Sequence, residues 1–178
     1  MRTPRKYLIV LATLTAMGIF GMVPNAYADE FGKCNTVSGC KPDNYEHTYC
    51  YATALSGTYT APIAAAMETL DSQSKYYDTF IATCTNITDV RFETSTSITA
   101  RGDYTCLAKN WAGECERARI RLNPNQVKDA VNIRKTACHE IGHSCGLAHG
   151  GTTDCMLSGA VTVPTYTYDS HHVAHLNA

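Results

Sequence analysis

The chain has 178 residues, 44% of them hydrophobic and 17% charged, with 15 Lys and Arg against 16 Asp and Glu. This is the length of one domain and the composition of an ordinary globular protein. No run of like charge, internal repeat or low-complexity tract is present, which sets aside nucleic-acid binding, solenoid arrays and disordered tails.

Met1 to Ala28 opens with Arg2, Arg5 and Lys6, continues through an apolar run from Tyr7 to Val23, and closes on the small-x-small step Ala26-Tyr27-Ala28. That order describes a secretory signal peptide that is removed. A membrane anchor is the competing reading, but Thr13, Thr15 and Gly18 interrupt the run and the cleavage step ends it. The expected organisation is a leader over 1–28 and one domain over 29–178, secreted, with no membrane association once the leader is gone. Losing three positive charges leaves 12 Lys and Arg against 16 Asp and Glu, a net charge of −4. All nine cysteines lie beyond the leader. An exported chain should pair them, and an odd number leaves at least one thiol free or joined to another chain.

His47 to Thr53, rich in Tyr and Thr, reads as a strand. Thr60-Ala61-Pro62 opens an amphipathic helix to about Gln73, with Pro62 in its first turn and Ile63, Ala66, Met67 and Leu70 on one face. Asp89 to Thr94 and Ser97 to Ala100 alternate as strands. Glu116 to Leu122 alternates strongly, with Ala118, Ile120 and Leu122 opposite Arg117, Arg119 and Arg121, so the arginines form the wet face of a half-buried strand. Asn123-Pro124 ends that strand and is placed to cap a helix that starts between Pro124 and Asn132 and runs to about Cys145. Asn86-Ile87-Thr88 matches a glycosylation acceptor.

The stretch that carries chemistry is HEIGHSCGLAH, His139 to His149. On a helix each residue advances about 100°, so His139 and His143 stand about 40° apart, one turn above the other, within reach of one metal. Glu140 is displaced from that direction and suits a base acting on water at the metal better than a ligand. A continuing helix would point His149 away, but Gly146 takes a left-handed conformation at low cost and lets the chain turn back so that His149 becomes a third ligand. Three protein ligands and an open fourth position are the arrangement of a catalytic zinc site.

His139, Glu140, His143, Gly146 and His149 reproduce position by position the motif of the metzincin clan of zinc endopeptidases, and the chain resembles its small secreted bacterial members. Met156, seven residues past His149, stands where the clan has its methionine turn, an apolar floor beneath the zinc. YDSHHVAHLN is similar to the capped, short closing helix of matrixins. The resemblance implies an α+β fold: a mixed twisted sheet with two main helices and an irregular C-terminal subdomain ending in a short helix. It also implies that the upper sheet edge pairs with an extended substrate, with a specificity pocket lined by Gly159 to Tyr166. Related enzymes often use a tyrosine two residues past the methionine to hold the oxyanion; here that residue is Ser158, which leaves Tyr166 and Tyr168 as candidates. SGCKPDN is faintly similar to the cysteine switch of matrixin propeptides, although a disulfide would consume Cys40 equally well.

Cys138 and Cys145 cannot pair with each other, since seven helical residues rise about 10 Å and a disulfide needs Cα atoms within about 7 Å. With a methionine turn to be held under the helix, the expected bridge is Cys138 to Cys155, leaving Cys145 over. Cys106 with Cys115 is a local staple around Trp111, and Cys34, Cys40, Cys50 and Cys84 make two more bridges of open connectivity. The expected function is a secreted, monomeric zinc-dependent endopeptidase acting on protein or peptide substrates, with Glu140 as general base; no residue pattern assigns calcium. The alternatives are a zinc-containing binding or toxin module, which would have no use for Glu140, and a zinc amidase acting on cell-wall peptides.

Overall fold

A computed structural model describes residues 40–53, 55–150, 154–158 and 165–178; the leader, Cys34 and most of the expected pocket wall lie outside these residues. The elements in chain order are β1 (Glu46–Tyr51), α1 (Gly57–Gln73), β2 (Tyr77–Phe80), β3 (Val90–Thr94), β4 (Gly102–Lys109), β5 (Cys115–Leu122), α2 (Ala130–Ser144) and α3 (Ser170–Leu176). The strands form one sheet in the order β2-β1-β3-β5-β4. β1, β2, β3 and β5 pair in parallel, and β4 pairs antiparallel to β5 at the sheet margin. This is the mixed-sheet α+β architecture that the resemblance implies.

One apolar cluster joins the layers. Ile63, Met67 and Leu70 of α1, Phe92 of β3, Ile120 and Leu122 of β5, and Ile133 and Ile141 of α2 are all fully buried within it. Along β5 the buried residues are Ala118, Ile120 and Leu122, while Arg117, Arg119 and Arg121 remain half-buried, as the alternation predicts. Arg121 bonds Asp103 and Arg119 lies 3.6 Å from Glu93, so these arginines answer carboxylates of neighbouring strands.

Several boundaries differ from expectation for identifiable reasons. α1 begins at Gly57 because the Ser56 hydroxyl accepts from Thr58 N at 3.3 Å, which places Pro62 in the second turn. Ser97 to Ala100 is irregular, not a strand. Its carbonyls are satisfied by side chains, Ile98 O by Asn123 Nδ2 at 2.7 Å and Thr99 O by Gln126 Nε2 at 2.7 Å, and the strand itself starts at Gly102. Asp129, not Asn123, caps α2, its carboxylate accepting from Asn132 N at 2.9 Å. β2 has no inward apolar series to announce it, being an exposed strand paired with β1.

The disulfides Cys138–Cys155 and Cys106–Cys115 form as expected, and the open set resolves to Cys50–Cys84, with Cys40 also disulfide-bonded. Bonding removes Cys40 from any role as a switch thiolate. Cys145 is free and buried. It lies 3.7 Å from His47 Nε2, which also meets the Ser144 hydroxyl at 2.9 Å behind α2. Burial pushes the Cys145 thiol far up and the His47 imidazole down to about 4, so both are neutral packing groups at pH 7.

Candidate metal centre

The last turn of α2 sets the site. Gly146 has φ 86°, the left-handed value that only glycine adopts cheaply. Leu147 N then bonds Gly142 O at 2.9 Å and Gly146 N bonds His143 O at 3.1 Å, the paired bonds of a Schellman ending. The chain reverses at this point and brings His149 back toward α2, and the ring centroids of His139, His143 and His149 stand 4.7 to 4.9 Å apart.

Hydrogen bonding fixes which nitrogens face inward. His139 Nδ1 meets Cys155 O at 2.8 Å and His143 Nδ1 meets Leu147 O at 2.7 Å. A carbonyl only accepts, so each Nδ1 carries the proton and each Nε2 presents a lone pair. These Nε2 atoms converge: His143 Nε2 lies 3.2 Å from that of His139 and 3.0 Å from that of His149. The lone pairs of His139 and His143, 3.2 Å apart, repel one another unless a cation sits between them, and His149 in the tautomer with its proton on Nδ1 would add a third donor to it. Tetrahedral zinc with nitrogen at about 2.0–2.1 Å places neighbouring ligand atoms roughly 3.3 Å apart, so the donor set fits that ion in type and spacing. Burial lowers the His139 imidazole to about 3, with His143 contributing next, and lowers His143 to about 4; His149 is lowered more mildly, by burial and then by Lys135. All three are therefore in the neutral form that a metal requires.

These rings open onto a cleft of about 610 Å³ that β4 borders at Gly102, Asp103 and Tyr104. Glu140 lines the same cleft, buried, beside the imidazoles and outside their convergence. Its approach to the sheet depends on a residue that sequence reasoning passed over. A Cβ on Gly102 would stand 2.9 Å from Glu140 Oε1 and 2.8 Å from Thr136 Cγ2, so only glycine lets β4 close onto α2 there. Burial raises Glu140 to about 8, Asp103 adds to the rise, and Lys135 and the Tyr104 amide oppose it. A dication next to that carboxyl would act in the opposite sense and favour the carboxylate.

Met156 is fully buried beneath α2, where a Cβ on Gly142 would collide with its sulfur. Cys138–Cys155 ties the preceding residue to the helix. A second buried cluster, also missed from the sequence, anchors this floor. Asp154 accepts from Met156 N at 3.0 Å and bonds His172 Nδ1, which lies 3.3 Å from Asp169, the N-cap of α3. Of the oxyanion candidates, Tyr168 is committed elsewhere, its hydroxyl donating to Cys138 O at 2.9 Å, and Tyr166 stacks under Arg134. Neither lines the cleft, whereas Ser158 does. Among the described residues no helix is long and apolar enough to cross a membrane.

No family model matches the sequence, and a search of curated proteins finds no match. Among solved structures the fold is similar to that of high choriolytic enzyme 1, a hatching enzyme zinc-protease from Oryzias latipes (Medaka fish), with 15% identity and a TM-score of 0.41. The likeness covers 68% of this chain and spans 55% of that one.

Proposed function

We propose that this protein is a secreted zinc-dependent endopeptidase in which His139, His143 and His149 hold the metal and Glu140 is the general base. The observation that carries the reading is the convergence of the three Nε2 atoms in a cleft that Glu140 also faces, with the Nδ1 atoms of His139 and His143 already turned to backbone carbonyls. A zinc ion held there would supply Lewis acidity, making water a nucleophile at neutral pH and polarising a carbonyl. The chain's own groups do the rest. Among the described residues β4 pairs with β5 alone, so its outer edge, apart from the Tyr104 amide that bonds Glu140, would be available to align an extended peptide along the cleft. Glu140 takes the proton of the attacking water on a carboxylate oxygen and returns it to the leaving amine nitrogen. Met156 and the Cys138–Cys155 bridge keep α2 and the chain beneath it from drifting apart, which holds His139 against Cys155 O.

The test is metal analysis of the secreted protein together with digestion of casein and of cell-wall peptides. The expected result is one zinc per chain and casein cleavage that phenanthroline stops and added zinc restores. Cleavage of cell-wall peptides alone would assign an amidase, and zinc without any hydrolysis would leave a binding module.

A further inference from the structure

The cleft carries positive charge that the proposed chemistry does not use. Lys135 is one turn before His139 on the same stripe of α2, buried, and lines the cleft with Arg101. Both cations bond only neutral groups. Lys135 Nζ donates to Leu157 O, just past Met156, and Arg101 Nη1 donates to Asn132 Oδ1 at 2.8 Å. Neither makes a salt bridge among the described residues. The two acids of the cleft are already engaged: Asp103 is bonded by Arg121 through both Nε and Nη2, and Glu140 is assigned to proton transfer. An ammonium has three donors and a guanidinium five, so each has capacity left for a carboxylate. Lys135 is buried and Arg101 half-buried, and among the described residues neither bonds a carboxylate, so a carboxylate brought by a ligand would offset the cost of holding Lys135 out of water.

Resting on the peptidase reading, we propose that Lys135 and Arg101 make the cleft selective for peptides that carry a carboxylate close to the cleaved bond. That carboxylate has two possible sources, an internal Asp or Glu side chain or the free C-terminus of a short peptide. The enclosed position of Lys135 beside His139 means the group must lie within about two residues of the scissile bond, because a residue of extended chain spans about 3.3 Å. Glutamine in place of glutamate keeps size and shape but offers no charge, so the pair isolates the effect.

The experiment compares kcat/KM for internally quenched peptides that differ only in Glu or Gln at each position flanking the cleaved bond, each with a free or an amidated C-terminus. The expected result is a Glu over Gln preference of about tenfold or more at one flanking position, the usual worth of a charged hydrogen-bonded pair. A free-terminus preference of that size, without the side-chain preference, would assign the site to a chain end. The preference should fall toward unity in Lys135→Met and in part in Arg101→Gln; a ratio within one enzyme cancels any general loss of activity. A wild-type ratio near one in both arms overturns the proposal without need of a variant. An unchanged ratio in both variants overturns the roles of these residues. Failure to cut any peptide in the set, with zinc bound, would instead overturn the peptidase reading itself.

Discussion

Two groups of metal-ligating side chains, three histidines and an Asp-Asp-His set, differ in where their ring nitrogens turn. In His139, His143 and His149 the outer nitrogens of the two helical rings bond backbone carbonyls while all three inner nitrogens face one another at the cleft. In Asp154, Asp169 and His172 the ring nitrogen meets carboxylates directly, and His172 and Asp154 have 0% and 1% of their side chains exposed. Both groups have the residue types of a metal site. The first turns its ring nitrogens toward one another at the wall of the cleft; the second matches donor to carboxylate and seals the pair. The difference separates a place for a ligand from a fastening.

The sharpest way to break that comparison is Asp154→Ala. The carboxylate serves His172 Nδ1 and Met156 N in a sealed interior, so its loss should destabilise the fold by about 3–5 kcal/mol while zinc content below the unfolding transition stays at one per chain. Thermal unfolding with metal analysis checks it. Zinc loss without a change in stability would make the cluster a metal site after all.

An imidazole outside both groups, behind the helix, sharpens the contrast. His47 is lowered to about 4 by burial, against about 6.5 when unfolded. A depressed folded-state value means that the unfolded chain binds the proton more readily between these two pH values. Its contribution is thus fully present above about pH 6.5 and is lost as pH falls through 4. Wild type should lose about 3 kcal/mol more than His47→Gln between pH 7 and pH 4 in denaturant titrations. Parallel losses in the two proteins would show that His47 is not the group responsible.

Glu140→Ala gives the smallest expected effect on free energy and the cleanest on function. Outside the lone-pair convergence, Glu140 is not needed to hold metal, so zinc and unfolding temperature should persist while peptide hydrolysis falls by about 10²-fold or more. Retention of most activity would point to a different base.

How much of this was readable from residues alone follows the range of the interactions. The stripe of His139 and His143 and the turn at Gly146 rest on helical periodicity and one glycine, which act within a few residues, whereas the Cys138–Cys155 bridge was expected from the methionine turn that the resemblance implies. β5 was legible because its alternation is clean. Gly102, Lys135 and the Asp154–His172 pair were not, because each matters only through a partner distant in the chain. Gly102 looks like a strand start until α2 is laid against it, and Lys135 looks like a solvent-facing helix residue until Leu157 covers its tip. Ser97 to Ala100 misled because alternation carries no record of side chains that compete for backbone carbonyls.

The outer margin of β4, which pairs with no strand among the described residues, reaches beyond the choice of side chains. A strand edge can hydrogen-bond only to a segment whose own amides and carbonyls are unspent, and a helix or an interior strand has none to offer. A peptidase built this way would respond first to the shape of its target: loops, tails and locally opened regions would be cut, and intact domains spared until they fray. Which proteins survive contact with it would then depend on how often each one breathes.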